Sequence, residues 1–219
     1  MSIVCSILGV APAQIHMLRT KPALVSKLAL VARIDLLRSH LDNLTKRMTP
    51  EQRAQFEASQ AQFAASPAAK QADASVADAR AALVPLGAIE KALSLEKSWH
   101  MLHYLLTGHA DTGHAPGDLL LSGEELGEDV GYGPARLHDE RKSSEFSRFL
   151  EGQDLARLRA RTDFDAMDRA GVLYGLKQGL GSETERQMLH EEIALYFQLL
   201  RDYVRAMAEK GDGLMVWIS

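Results

Sequence analysis

The two ends of the chain carry the apolar patterns of buried β-strands. Ile3, Cys5 and Ile7 lie on one side of an extended backbone and Val4 and Leu8 lie on the other, while residues 214–218 form an unbroken apolar run. A strand that is apolar on both sides is typical of one covered on both faces of its sheet. We therefore expect the two ends of the chain to be neighbouring strands of one sheet.

A helical insertion is predicted near the N-terminal strand, over residues 22–84. After Pro22 the apolar positions recur at alternating steps of four and three, which predicts a long amphipathic helix with a narrow apolar seam. The seam consists of Leu30, Ile34, Leu37, Leu41, Leu44 and Met48. It either packs on the chain's own domain or is offered to a partner, so an oligomer through residues 22–84 is one expectation.

Two more helices complete the helical insertion. Thr49 and Gln52 form a capping box, so a second helix begins there, with Phe56 and Phe63 as its apolar anchors. An alanine-rich third helix follows over residues 68–84, and it has few large side chains to bury.

The second half of the chain predicts shorter elements. We expect a helix from about residue 95 to residue 107, with Ser94 as its N-cap and Gly108 just past its end. A short strand over residues 135–138 and two short helices follow. The last helix begins at a capping box formed by Ser182 and Glu185. Its core stripe is Leu189, Ile193, Tyr196, Phe197, Leu200, Tyr203, Val204 and Met207.

These patterns predict one domain over residues 1–219, of the mixed, helix-rich α/β class. A small mixed sheet that includes both termini is flanked by helices, and the helical insertion at 22–84 lies within the same domain.

Candidate ligand-binding groups lie on one side of the predicted helix at residues 95–107. One arc of that helix is apolar, and the neighbouring arc is polar but uncharged, unlike an ordinary solvent-exposed face. The arc consists of His100, His103, Tyr104 and Thr107. These groups either bond nearby backbone or line a ligand pocket together with Tyr132 and Arg136.

Acidic residues cluster just before a glycine-rich turn. They are Glu124, Glu125, Glu128 and Asp129, and they are candidates for binding a partner protein. Glu125, Glu128 and Asp129 are also candidates for acid–base work with a helix histidine. Solvated surface carboxylates have the same pattern. Arg136 follows the turn, and its planar guanidinium either clamps an anionic ligand or pairs with this acidic cluster.

Several classes of function find no support in the sequence. The balance of 25 basic and 29 acidic residues gives a net charge of −4, which does not favour nucleic-acid binding. The histidine spacing matches no zinc motif, no glycine-rich phosphate loop or nucleophile elbow occurs, and we expect no metal and no cofactor. Cys5 is the only cysteine, no basic residue precedes the apolar N-terminus, and no apolar run is long enough to cross a membrane, so we expect a cytoplasmic protein.

Three blocks of sequence resemble the bacterial YfbM-like domains of unknown function. The blocks are LEKSWHMLHYLLTG at 95–108, YGPAR at 132–136 and GDGLMVW at 211–217. The resemblance covers the N-terminal strand and about residue 88 to the end, but not residues 22–84. Residues 172–175 depart from it, because they lack the proline and nearby tryptophan usual in the family. The resemblance implies an α/β domain of bacterial cytoplasm and implies no activity.

Two functions of different classes remain open. The first is a non-enzymatic binding or interaction protein, of which an immunity-type protein that uses its acidic cluster and helical insertion against a basic partner is one version. The second is an enzyme for a small anionic substrate, with a helix histidine as general base and Arg136 as anion clamp.

Overall fold

A five-stranded antiparallel sheet joins the two ends of the chain in the computed structural model, which describes residues 3–172 and 182–219. Strand β1 (Cys5–Val10) pairs along its whole length with β5 (Gly213–Ile218). Both strands are buried at every position. The prediction that the two termini share one sheet is confirmed.

Three short strands flank this central pair. They give the order β2-β1-β5-β4-β3, and every pairing among the described strands is antiparallel. The bounds are Leu93–Ser94 for β2, Glu124–Asp129 for β3 and Pro134–His138 for β4. The strand near residues 135–138 was predicted, whereas β3 was missed because its polar sequence has no apolar alternation.

Helices pack on both faces of the sheet. Their bounds are Pro12–Thr20 for α1, Ala23–Thr45 for α2, Pro50–Ala64 for α3, Pro67–Leu83 for α4, Ser98–Thr107 for α5, Glu140–Glu151 for α6, Leu155–Ala160 for α7, Phe164–Arg169 for α8 and Glu183–Lys210 for α9. The helix-rich α/β class predicted above is therefore confirmed. Among the described residues, no helix combines the length and the apolar run that a bilayer crossing requires.

Alternate residues of the central strands feed two separate cores. Ile7 and Val216 point into the core formed with α5, α6 and α9. Leu8 and Trp217 point into the core formed with α1, α2 and α4. Because strand side chains alternate between the two faces of the sheet, this one strand pair contacts both layers of helices.

The helical insertion folds back on the sheet through a face of α2 other than the predicted seam. Its buried side chains are Val25, Leu28, Ala29, Val31 and Ala32. On the seam, Leu30, Leu37 and Leu44 are 37%, 51% and 40% exposed. At 100° per residue, the seam lies on nearly the opposite side of α2 from the buried residues. The seam and the buried residues therefore form two separate faces of the same helix.

The predicted start of α5 is wrong. Ser94 belongs to β2, where it pairs with Ser6 of β1. Glu96 then takes a left-handed backbone conformation with φ of 47°, and the helix begins only at Ser98. The predicted end is confirmed, because Gly108 is the left-handed residue after the last turn. Strand pairing outweighs the capping preference of the serine here.

The helix termini that carry capping boxes in the sequence are confirmed. Thr49 Oγ1 accepts from Gln52 N at 3.3 Å, and Ser182 Oγ accepts from Glu185 N at 3.3 Å. Six residues of the predicted α9 stripe are buried, and its two tyrosines are partly buried against the core. Of the departure from the family pattern at 172–175, only Val172 lies within the described residues.

Tyr203 of α9 extends the hydrogen bonding of β1 beyond the short strand β2. Its hydroxyl accepts from Gly9 N and donates to Lys91 O, each at 2.9 Å. Burial raises the pKa of this phenol to about 12. One side chain therefore satisfies two backbone groups that β2 does not reach.

We expect Tyr203→Phe to lower the free energy of unfolding by about 1–3 kcal/mol, because it leaves Gly9 N–H without its acceptor. Chemical denaturation measures the change. Tyr132→Phe is the matched control, since Tyr132 is 44% exposed and its loss of a hydroxyl should change stability very little. Equal stabilities of the two variants would contradict this role of Tyr203.

Candidate functional site

The two helix histidines of the predicted site are buried against a loop. His103 is completely buried and His100 nearly so. His100 Nε2 lies 2.9 Å from Ala110 O, and His103 Nε2 lies 2.9 Å from Thr112 O. A carbonyl oxygen can only accept, so each Nε2 carries the proton and donates it to the loop.

Thr107 fastens the start of the same loop. Its hydroxyl oxygen lies 2.8 Å from His103 O and 3.0 Å from His109 O, and it accepts from His109 N at 3.1 Å. The polar arc of α5 thus bonds the backbone of the loop that follows it, over residues 109–112. Of the two alternatives for this arc, the structure shows hydrogen bonding to nearby backbone.

Burial sets the charge state of the histidines. It lowers the pKa of both His100 and His103, although the hydrogen bonds to the loop carbonyls act in the opposite direction. Both rings are therefore neutral at pH 7. A neutral ring with Nε2 engaged in a backbone hydrogen bond is a structural donor in this conformation.

The remaining predicted ligand groups have different surroundings. Tyr104 is partly buried and packs against the core beneath α5. Tyr132 is exposed, and its backbone N–H donates to Ile218 O at 2.9 Å. Arg136 lies on β4, opposite Glu125 of β3. The structure thus gives the two halves of the predicted pocket separate partners, and ligand binding by the six residues stays a prediction.

Arg136 pairs with the acidic cluster, as one of the two alternatives predicted. Its Nη2 lies 3.6 Å from Glu125 Oε1, and its side chain is only 16% exposed. Its other terminal nitrogen, Nη1, is buried and has no hydrogen-bond partner among the described residues. The guanidinium lies on the sheet face that also carries Cys5. Burial raises the pKa of the Cys5 thiol, and the positive charge of Arg136 acts in the opposite direction.

The acidic cluster forms the edge strand β3 rather than a loop surface. Glu124 pairs with Arg19 at 2.7 Å, and Asp129 Oδ1 accepts from Gly131 N and Gly133 N. With the Glu125–Arg136 pair, three of the four carboxylates have partners within the chain. Charged side chains on an edge strand also discourage unwanted strand pairing. Glu128 is exposed, and its carboxylate forms no hydrogen bond or ion pair with the described part of the chain.

His138 is a buried polar residue that is not among the predicted site residues. Its ring is 1% exposed, and Nε2 donates to Leu119 O at 3.0 Å. Gly123 passes so close that a Cβ there would lie 2.9 Å from His138 Nε2, and its φ of 122° also favours glycine. The only signal in the sequence was the position of this histidine at the end of a predicted apolar strand.

An open groove lies where the helical insertion meets the main sheet. It has a volume of about 410 Å³ and lies between α2, α4 and residues 87–92. Its charged lining residues are paired: Arg80 with Asp35, Glu90 with Lys210, and Lys91 with Ser39 Oγ. No predicted site residue lines this groove. Its walls come from segments that are far apart in the sequence and meet only in the folded chain.

Metal-ligating residues do not converge in the described part of the chain. No group of three or more His, Cys, Asp or Glu side chains there has an arrangement that could hold a metal ion. His109 and His114 are exposed in the loop after α5, whereas the two helix histidines are buried.

Comparison with known proteins identifies one family whose model matches nearly the whole chain. The model of a family described as a domain of unknown function, DUF1877, matches residues 1–217. The match runs through residues 22–84, which the resemblance seen in the sequence left out. No curated protein matches the chain.

A solved structure has the same fold. The protein of unknown function YfbM from Escherichia coli is 16% identical and aligns over 99% of each chain, with a TM-score of 0.56. At this identity the likeness establishes the architecture, including the predicted YfbM-like class, and carries no activity.

We expect His138→Gln to weaken the pH dependence of stability. Burial lowers the pKa of His138 to about 4, so protonation favours the unfolded chain, and stability present above the unfolded pKa near 6.5 is lost as pH falls toward 4. The loss from this one ring is about 2–3 kcal/mol at pH 4. Glutamine keeps a donor for Leu119 O and does not titrate.

Denaturation at pH 7 and pH 4 measures this difference. The wild type should lose more stability between the two values than His138→Gln does. His114→Gln, in the exposed part of the loop after α5, should behave like the wild type. An identical loss in His138→Gln and the wild type would show that His138 is not the titrating group.

Proposed function

This chain belongs to the DUF1877 family of domains of unknown function, and from that premise we propose that it is a non-enzymatic protein that binds a partner protein through its helical insertion. The single observation that supports the proposal is the exposed apolar seam of α2. The seam has the regular spacing of a helix-pairing surface, but the sheet is covered by the opposite side of the same helix.

The exposed apolar side chains of the helical insertion form a pattern. Scattered single leucines on a surface are ordinary, but Leu30, Leu37 and Leu44 repeat every seven residues along one line of α2. Ile34 and Leu41 between them are half-buried, so the line is continuous. Contiguous apolar surface of this kind marks sites where another protein docks.

Helix α3 supports the same conclusion. It has no buried residue, and Phe63, predicted as one of its anchors, is 67% exposed. A helix that buries nothing gains little stability from its own domain, because most helix stability in proteins comes from packing of an apolar face. Its anchor is available to a partner.

Other proposed functions have less support. An immunity-type role against a basic partner would use the acidic strand β3, where three of four carboxylates already have partners within the chain. An enzyme using a helix histidine as base would have to break the hydrogen bond from Nε2 to the loop. The free, buried Cys5 supports our proposal of a reducing, cytoplasmic location.

We expect Leu37→Lys to abolish recovery of the partner when the tagged full chain is purified from its own cells. A lysine in the middle of the seam would have to lose its hydration on docking, so the recovered partner should fall by at least about tenfold. Leu195→Lys on α9 is the matched control, because Leu195 is an exposed leucine outside the helical insertion. Quantitative mass spectrometry measures recovery, and thermal melting checks that both variants fold.

Two results would refute the proposed function. One is recovery of the same proteins in the same amounts by the wild type and by folded Leu37→Lys. The other is loss of the partner with Leu195→Lys but not with Leu37→Lys, which would move the docking surface from α2 to α9.

A further inference from the structure

The two edges of the α2 seam are basic. Within α2, which ends at Thr45, the residues directly before Ile34 and Leu41 are Arg33 and His40, and the residues directly after Leu37 and Leu44 are Arg38 and Thr45. These four positions border the seam on its two sides, as the e and g positions border a coiled-coil interface. They include one arginine on each side and no carboxylate. Met48, the last residue of the predicted seam, lies in the turn after the helix.

The two arginines at these edges, Arg33 and Arg38, are exposed. Neither forms an ion pair with a carboxylate in the part of the chain that the structure describes. Arg80, which packs beside α2 on its inner side, is by contrast paired with Asp35. Positive charge is therefore left uncompensated along the seam.

A second copy of this chain would not compensate that charge. Two α2 helices packed seam to seam would bring arginines against arginines, in the parallel and in the antiparallel orientation. Like charges on facing edges oppose pairing and are a common means of excluding a wrong partner. The seam is thus suited to pairing with a helix of opposite edge charge.

On this basis we propose that the α2 seam binds an amphipathic helix of another protein, whose apolar stripe is bordered by Glu or Asp. This inference rests on the proposed function and specifies the partner's chemistry. Within α2 the seam runs from Leu30 to Leu44, which at 1.5 Å per residue is about 21 Å, so the partner helix needs about 15 residues. Its carboxylates face Arg33 on one edge and Arg38 on the other.

The test uses three synthetic helices and the full chain. All three carry the same three-heptad stripe of Leu and Ile, and they differ only at the positions bordering it, which are Glu, Gln or Lys. Fluorescence anisotropy measures binding at low and high salt. We expect the Glu peptide to bind at least about tenfold more tightly than the Lys peptide, with the Gln peptide between them, and the difference should shrink as salt screens the charges.

Charge reversal at the edges should invert the preference. The double variant Arg33→Glu, Arg38→Glu should favour the Lys peptide over the Glu peptide. The control double variant Arg157→Glu, Arg169→Glu changes two exposed arginines outside the helical insertion and should keep the wild-type order. Leu37→Lys should lose binding to all three peptides, since it removes the apolar contact that they share.

Three outcomes would overturn the inference. Equal binding of the Glu and Lys peptides would show that the edge arginines do not select the partner. Self-association of the wild type in sedimentation, lost in Leu37→Lys, would make a second copy the occupant. Failure of every peptide, while the cellular partner still depends on Leu37, would overturn the acidic-helix inference and leave the proposed function standing. Failure of both experiments would overturn both.

Discussion

The pairing of β1 with β5 is the interaction on which the rest of the structure depends. It joins the first and last described elements of the chain, and both strands are buried on both faces. A sheet that is apolar on both sides needs a layer of helices on each side. Helices α5, α6 and α9 supply one layer, and the other layer comes from α1, α2 and α4. Helices α2 and α4 thus cover, together with α1, the side of the sheet that carries Leu8 and Trp217.

The buried imidazoles follow from the same arrangement. Helix α5 lies on the sheet, and the loop after it has to cover the polar side of that helix. His100 and His103 hold the loop by donating to its carbonyls, and burial keeps both rings neutral. The residues that look most like a binding site in the sequence therefore serve the fold in this conformation. A ligand at this site would have to displace the loop.

The surface on which the proposed function rests is the outer side of the helical insertion. One side of α2 satisfies the sheet, and the other side keeps a regular line of leucines between uncompensated arginines. Since the fold uses only the inner side, the outer pattern has no structural explanation within the described residues. Helix α3 of the same insertion likewise buries none of its residues.

Local sequence determined the elements whose signals are local. Capping residues such as Thr49, Ser182 and Gly108 marked helix ends, and two-sided apolar runs marked β1 and β5, because these signals act within a few residues or one period of an element. Tertiary structure alone decided which side of α2 meets the sheet, that Ser94 pairs with Ser6 and caps no helix, and that the polar segment Glu124–Asp129 is a strand. Each of these depends on a partner distant in the sequence. The same holds for the histidines, since a pattern shows that a polar arc is half-buried but not whether a loop or a ligand covers it.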